Sequence, residues 1–155
     1  MTNYFPGIRN IWLADDDPDD CELFSSAIYE IIPSVQLQIL SSGNELFQLL
    51  DKNLQPDILF LDLNMPTNGL DCLKEIRAVR GLKKLPVVVF SCSLNPQDMF
   101  ASYGFGANLY YPKPTSMLSL INGLKDLFRM NWDDPYTITS NHYVNNTFVP
   151  YNLKH

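Results

Sequence analysis

Five apolar runs alternate with five stretches of helical spacing along this chain, and each run stops at a polar or charged residue. Residues 8–14 (IRNIWLA) end at an aspartate block, and DDCELFSSAIYEII then carries Leu23, Ala27, Ile28 and Ile31 at helical intervals. VQLQIL alternates with period two, Ser42-Gly43 turns the chain, and NELFQLLDKN reads as a short amphipathic helix capped by Asn44. DILFLDL and LPVVVFSC are almost unbroken apolar runs, as strands buried on both faces require. LDCLKEIRAVR and PQDMFASYGF follow them, the latter with Pro96 at a favoured first-turn position. ANLYYPKP and SMLSLINGLKDLFRM complete the fifth pair. Such strict alternation predicts an α/β fold, with right-handed crossovers and a doubly wound, five-stranded parallel sheet covered on both faces. Ligands of such sheets sit at the carboxyl ends of the strands, so the residues that end each run are the candidates for function.

The 155 residues suffice for one domain, placed at residues 1–130, followed by a C-terminal tail at 131–155. The tail is Asn-rich and irregular, with scattered aromatics at Trp132, Tyr136, Tyr143, Phe148 and Tyr151. Docking on the domain and disorder are equally open for it; if it docks, Phe100, Tyr103 or Phe105 is expected to meet its aromatics. A hydrophobic content of 46% provides for a core. The net charge of -6, with Asp15, Asp16, Asp17, Asp19, Asp20 and Glu22 clustered, opposes phosphate neutralisation and argues against nucleic acid as a partner. No run approaches the roughly 18 apolar residues of a membrane span, and MTNYFPGIRN lacks the regions of a signal peptide. A cytoplasmic protein without a membrane partner is expected. Cys21, Cys72 and Cys92 have no CxxC spacing and read as buried structural thiols, and the sequon at Asn145 carries no weight without a secretory signal.

Chemically complementary groups stand at the run ends: Asp15 and Asp16 after the first, Asp62 in the third, Ser91 in the fourth and Lys113 in the fifth. Carboxylates about 5 Å apart, at an effective dielectric near 20, repel by roughly 3 kcal/mol per pair, so a cation is expected among them. Oxygen donors with no His or Cys nearby suit Mg²⁺, which keeps several waters and leaves room for a phosphate oxygen. Lys113 brings a positive charge and Ser91 a hydroxyl, so a phosphoryl group can be held on Asp62. Plainer readings exist for each group: the aspartate run also reads as a helix cap, and Ser91 and Lys113 as loop residues. An aspartate ending a buried apolar strand is costly unless paired or metal-bound, which makes Asp62 the hardest to dismiss. An EF-hand fails, because Asp20 stands where Gly is required and Ser26 where the closing Glu belongs. A cis bond is expected before Pro114.

Together, WLADDDPDD, LFLDLNMP, VVVFS and YYPKP closely resemble the receiver domains of bacterial two-component response regulators, over residues from about 8 to 130. The resemblance is to the stand-alone, CheY-like type, and it implies a flavodoxin-like (β/α)5 fold with strand order 2-1-3-4-5. It further implies that Asp62 accepts a phosphoryl group from a histidine kinase or a histidine phosphotransfer protein. By the same resemblance Mg²⁺ is held by Asp15, Asp16, Asp62 and the backbone carbonyl of Asn64, and Lys113 pairs with a phosphoryl oxygen. Ser91 and Tyr110 form the switch, which alters the surface presented to a downstream protein, while Asn64 and Ser93 tune the lifetime of the phosphate. On this reading the protein is no enzyme but a phosphoacceptor switch that assists its own phosphorylation and dephosphorylation. The alternative is a receiver-fold interaction module that is not phosphorylated. A phosphatase of the haloacid dehalogenase type needs a second acid where Asn64 stands, and a hydrolase triad finds only His142 and His155, both in the tail.

Overall fold

The computed structural model describes residue 5 and residues 7–151; residues 1–4, 6 and 152–155, which include His155, lie outside the described residues. Five strands, β1 (Asn10–Ala14), β2 (Gln36–Leu40), β3 (Ile58–Leu61), β4 (Val87–Ser91) and β5 (Leu109–Pro112), form one parallel sheet in the order β2-β1-β3-β4-β5. Helices α1 (Pro18–Ile31), α2 (Gly43–Asp51), α3 (Gly69–Ala78), α4 (Pro96–Gly104) and α5 (Met117–Phe128) make the crossovers. The parallel sheet is the one expected from the alternation of the sequence, and its flavodoxin-like strand order is the one that the resemblance implied. Side chains alternate across the sheet. Ile11, Leu13, Phe60, Phe90 and Tyr111 enter one core with Phe24, Ile28 and Leu124, whereas Trp12, Leu59, Leu61, Val89 and Tyr110 enter the other with Leu46, Leu73 and Ile76. Aromatic packing of Phe24, Phe60 and Phe90, with centroids 4.9 to 6.1 Å apart, fills the first core.

Register puts the strand ends level. Ala14 pairs with Leu40 and Leu61, Leu61 with Val89, and Ser91 with Pro112. The ladder then runs one residue beyond the strands, through Asp15 N–H to the Leu40 carbonyl, Asp62 N–H to that of Ala14, and Lys113 N–H to that of Ser91. Each helix starts at a side-chain cap. Asp17 accepts from the amides of Asp19 and Asp20, and Asn95 and Ser116 open α4 and α5 in the same way. For α2 the cap is Ser42 and not Asn44, because the helix begins at Gly43, two residues before a cap at Asn44 would start it; a Cβ added at Gly43 would lie 2.9 Å from Cys72 Sγ. The bond before Pro114 is trans, as is every peptide bond among the described residues.

The segment after α5 is regular where its sequence shows no period. Asp134 caps α6 (Pro135–Asn141), and β6 (Tyr143–Val144) pairs antiparallel with β7 (Thr147–Phe148) across Asn145-Asn146. Those two asparagines take φ of 52° and 63°, the left-handed pair that a two-residue hairpin turn demands. Trp132, Ile138 and Tyr151 are buried against the first core. Phe148 stacks on Tyr103 at 4.7 Å and meets Phe100 edge-on at 6.3 Å. Phe105 does not join them; it lies beneath the Lys74 ammonium, 4.4 Å from its ring centroid.

Candidate functional site

Asp15 and Asp62 are buried at the carboxyl ends of β1 and β3, exposed by 1% and 4%, and the neighbouring Asp16 is open to solvent. One carboxylate oxygen from each of Asp15, Asp16 and Asp62 lies within 4.8 Å of the others. Lys113, just past β5, reaches back across the sheet edge. Its Nζ lies 2.7 Å from Asp15 Oδ2, 2.8 Å from Asp20 Oδ2 and 3.3 Å from Asp62 Oδ2. The loop after β3 is folded tightly over the site. Asp62 Oδ1 accepts from the Asn64 amide, and Gly69 approaches so closely that an added Cβ would lie 2.3 Å from the Asp62 carbonyl oxygen.

Burial raises the Asp62 carboxyl above its ordinary 3.8, an effect that Lys113 opposes and Asp15 reinforces. Burial by itself would lower Lys113, but its bonds to Asp15 and Asp20 outweigh that and hold the ammonium well above its ordinary value. Asp15, Asp20 and Asp62 thus share a single ammonium, and Asp16 adds a fourth carboxylate beside them, which leaves room for further positive charge. The donor set is all oxygen, with no imidazole or thiolate among the clustered ligands, and it fits a hard divalent cation held by Asp15, Asp16 and Asp62.

Ser91 is fully buried at the end of β4, where its Oγ accepts from the Ser93 amide. Tyr110 is also fully buried and donates its phenol to the Ser93 carbonyl at 2.8 Å. Asn64 lies with its side chain exposed beside Asp62. The strand-end residues singled out by the sequence therefore share one edge of the sheet. Cys92, expected to be buried, is exposed, whereas Cys72 is buried and burial pushes the half-buried Cys21 thiol up to about 11. Asp20 was missed by the sequence reading, although as the first-turn acid five residues after Asp15 it is placed to face the strand ends.

The chain matches the response regulator receiver domain model over residues 11–125. It belongs to that family. Response regulator Rcp1 of Synechocystis sp. is 32% identical to this receiver over 127 residues, which covers 77% of this chain and 82% of Rcp1. Among solved structures, the phosphorylated cyanobacterial phytochrome response regulator RcpA superposes with a TM-score of 0.71 at 30% identity, over 77% of this chain and 91% of its own. The Mn²⁺-bound form of Rcp1 superposes with a TM-score of 0.64 at 30% identity, over 91% of this chain and 99% of its own. Receivers of two-component systems are phosphoacceptor switches, and this one carries their acidic pocket at Asp15, Asp16 and Asp62. Among the described residues no helix is long and apolar enough to cross a membrane.

Proposed function

We propose that Asp62 is the phosphoacceptor, taking a phosphoryl group from the phosphohistidine of a histidine kinase or a histidine phosphotransfer protein in the cytoplasm. The observation that carries this reading is the buried Asp62 carboxylate, 3.3 Å from Lys113 Nζ and clustered with Asp15 and Asp16. An Asp62 oxygen attacks phosphorus in line, the new P–O bond forms as the P–N bond to the donor imidazole breaks, and the bond electrons leave with that nitrogen. Asp15, Asp16, Asp62 and the Asn64 carbonyl would hold Mg²⁺, which would supply positive charge to the phosphoryl oxygens. Lys113 pairs with a phosphoryl oxygen and Ser91 supplies a hydroxyl to another, so the receiver assists both gain and loss of its phosphate. Asp15 keeps the lysine near the reacting oxygens.

Tyr110 carries the switch from the site to the surface of α4, β5 and α5, which a downstream protein reads. Residues 1–130 act as the receiver unit and residues 131–155 as an appendage upon it. The experiment is intact-mass analysis with acetyl phosphate, with and without Mg²⁺, on the protein and its Asp62→Asn variant. One added phosphoryl group that requires both Mg²⁺ and Asp62 is expected. Absence of labelling in folded, metal-bound protein would refute the proposal.

A further inference from the structure

An ammonium has three N–H bonds, and in this protein three carboxylates take those of Lys113: Asp15, Asp20 and Asp62. We propose that Asp20 is a positioning residue for phosphoryl transfer, holding Lys113 toward α1 and restraining the share of its charge that reaches Asp62. The inference rests on the reading of Asp62 as phosphoacceptor.

Three features single out Asp20. The cap of α1 is already made by Asp17, so the Asp20 carboxylate is not engaged at the helix end. Its contact with Lys113, at 2.8 Å, is shorter than the 3.3 Å contact to Asp62. Its side chain is 30% exposed, against 0% for Asp15 and 6% for Asp62. A phosphoryl group brings anionic oxygens that are strong acceptors of N⁺–H bonds, so Lys113 must loosen an existing partner to bind them. Releasing Asp15 would strand a buried charge, whereas water replaces the ammonium at Asp20 at little cost. Asp20 is therefore the partner that yields. It also places negative charge where an anionic phosphodonor approaches, an effect of the same sign.

The test uses the full chain and its Asp20→Asn and Asp20→Glu variants, with acetyl phosphate at saturating Mg²⁺ and labelling followed by intact mass. Asp20→Asn is expected to label roughly 1.5- to fivefold faster, the range that a partly exposed ion pair commands, with Asp20→Glu close to the parent. An Asn variant labelled no faster than the parent overturns the proposal. A second readout needs no phosphate: hydrogen exchange at the ¹⁵N-labelled Lys113 ammonium of the metal-free protein. Faster exchange in Asp20→Asn is expected, and unchanged exchange overturns the assigned ion pair. A parent protein that takes no phosphate refutes the role of Asp62 instead, while the exchange experiment still decides whether Asp20 holds the lysine.

Discussion

Tyr103 joins the C-terminal segment to the sheet through one hydroxyl group, and Tyr103→Phe isolates that link. The hydroxyl accepts from the Tyr110 amide at 3.0 Å and donates to the Val149 carbonyl at 2.8 Å. Phenylalanine keeps the ring stacked on Phe148 and leaves no large cavity. What it takes away is the acceptor for an N–H group in a residue with 0% exposure. An orphaned buried donor costs about 1–3 kcal/mol, whereas the partly exposed Val149 carbonyl regains water. For a chain of this length each kcal/mol moves the Tm by about 2–4 °C, so the middle of that range corresponds to a fall of roughly 4–8 °C. Circular dichroism melts supply the Tm. Hydrogen exchange at the Tyr110 and Tyr151 amides localises the effect, because Tyr151 N–H donates to the Tyr110 carbonyl. A Tm unchanged to within about 1 °C, with the Tyr110 amide still slow to exchange, would refute the reasoning.

Two other outcomes follow from charge. Asp16→Asn removes one carboxylate from a cluster whose oxygens lie within 4.8 Å, so its Tm in chelator should exceed the parent's. The parent should gain about 1.4 kcal/mol from Mg²⁺ at ten times its Kd, and Asp16→Asn less at the same concentration; equal melts in chelator would contradict this. At high pH, burial holds Tyr103, Tyr110, Tyr111 and Tyr151 above the ordinary 10.0, and carboxylate contacts hold Lys113 above 10.5. The folded state then keeps protons that the unfolded chain releases, so this stability is intact below about pH 10 and is lost as pH rises further. Tyrosinate absorbance from these residues should appear together with loss of near-ultraviolet circular dichroism; full ionisation within a native spectrum would contradict it.

The sheet and its reactive edge were legible because they depend on periodicity and on where an apolar run stops. Both are local properties: Asp62 stands out as a charge in ILFLDL, and parallel register alone brings it level with Asp15 and Lys113. The rest depends on contacts that no local pattern encodes. Asp20 shares a run of aspartates whose plainest reading is a cap, and only the reach of Lys113 from the other end of the chain separates it from Asp17. The tail looked irregular because its elements are short, a helix begun by Asp134-Pro135 and a hairpin turned by Asn145-Asn146, and neither lasts long enough to show a period. Those asparagines were readable as turn residues. The α2 cap was readable too, since Ser42 and Glu45 have the spacing of a capping box, and the Ser42 hydroxyl, in place of Asn44, accepts from the Glu45 amide.

One strand connects the chemistry to the tail. Alternation along β5 sends Leu109 and Tyr111 into one core and Tyr110 into the other, and the chain then delivers Lys113 to the carboxylates. Tyr110 is held at three points: its phenol on the Ser93 carbonyl, its amide on Tyr103, and its carbonyl on Tyr151 of the tail. Ser93 in turn sits two residues beyond Ser91 and bonds to its hydroxyl. Ser91 and the Tyr110 phenol therefore share the Ser93 backbone, and Tyr110 connects that loop to the tail through its own carbonyl. Of these three contacts, the carbonyl bond to Tyr151 reaches the tail directly, and the amide bond reaches it through the Tyr103 hydroxyl, which donates to Val149, so the tail lies along β5 beside Tyr110.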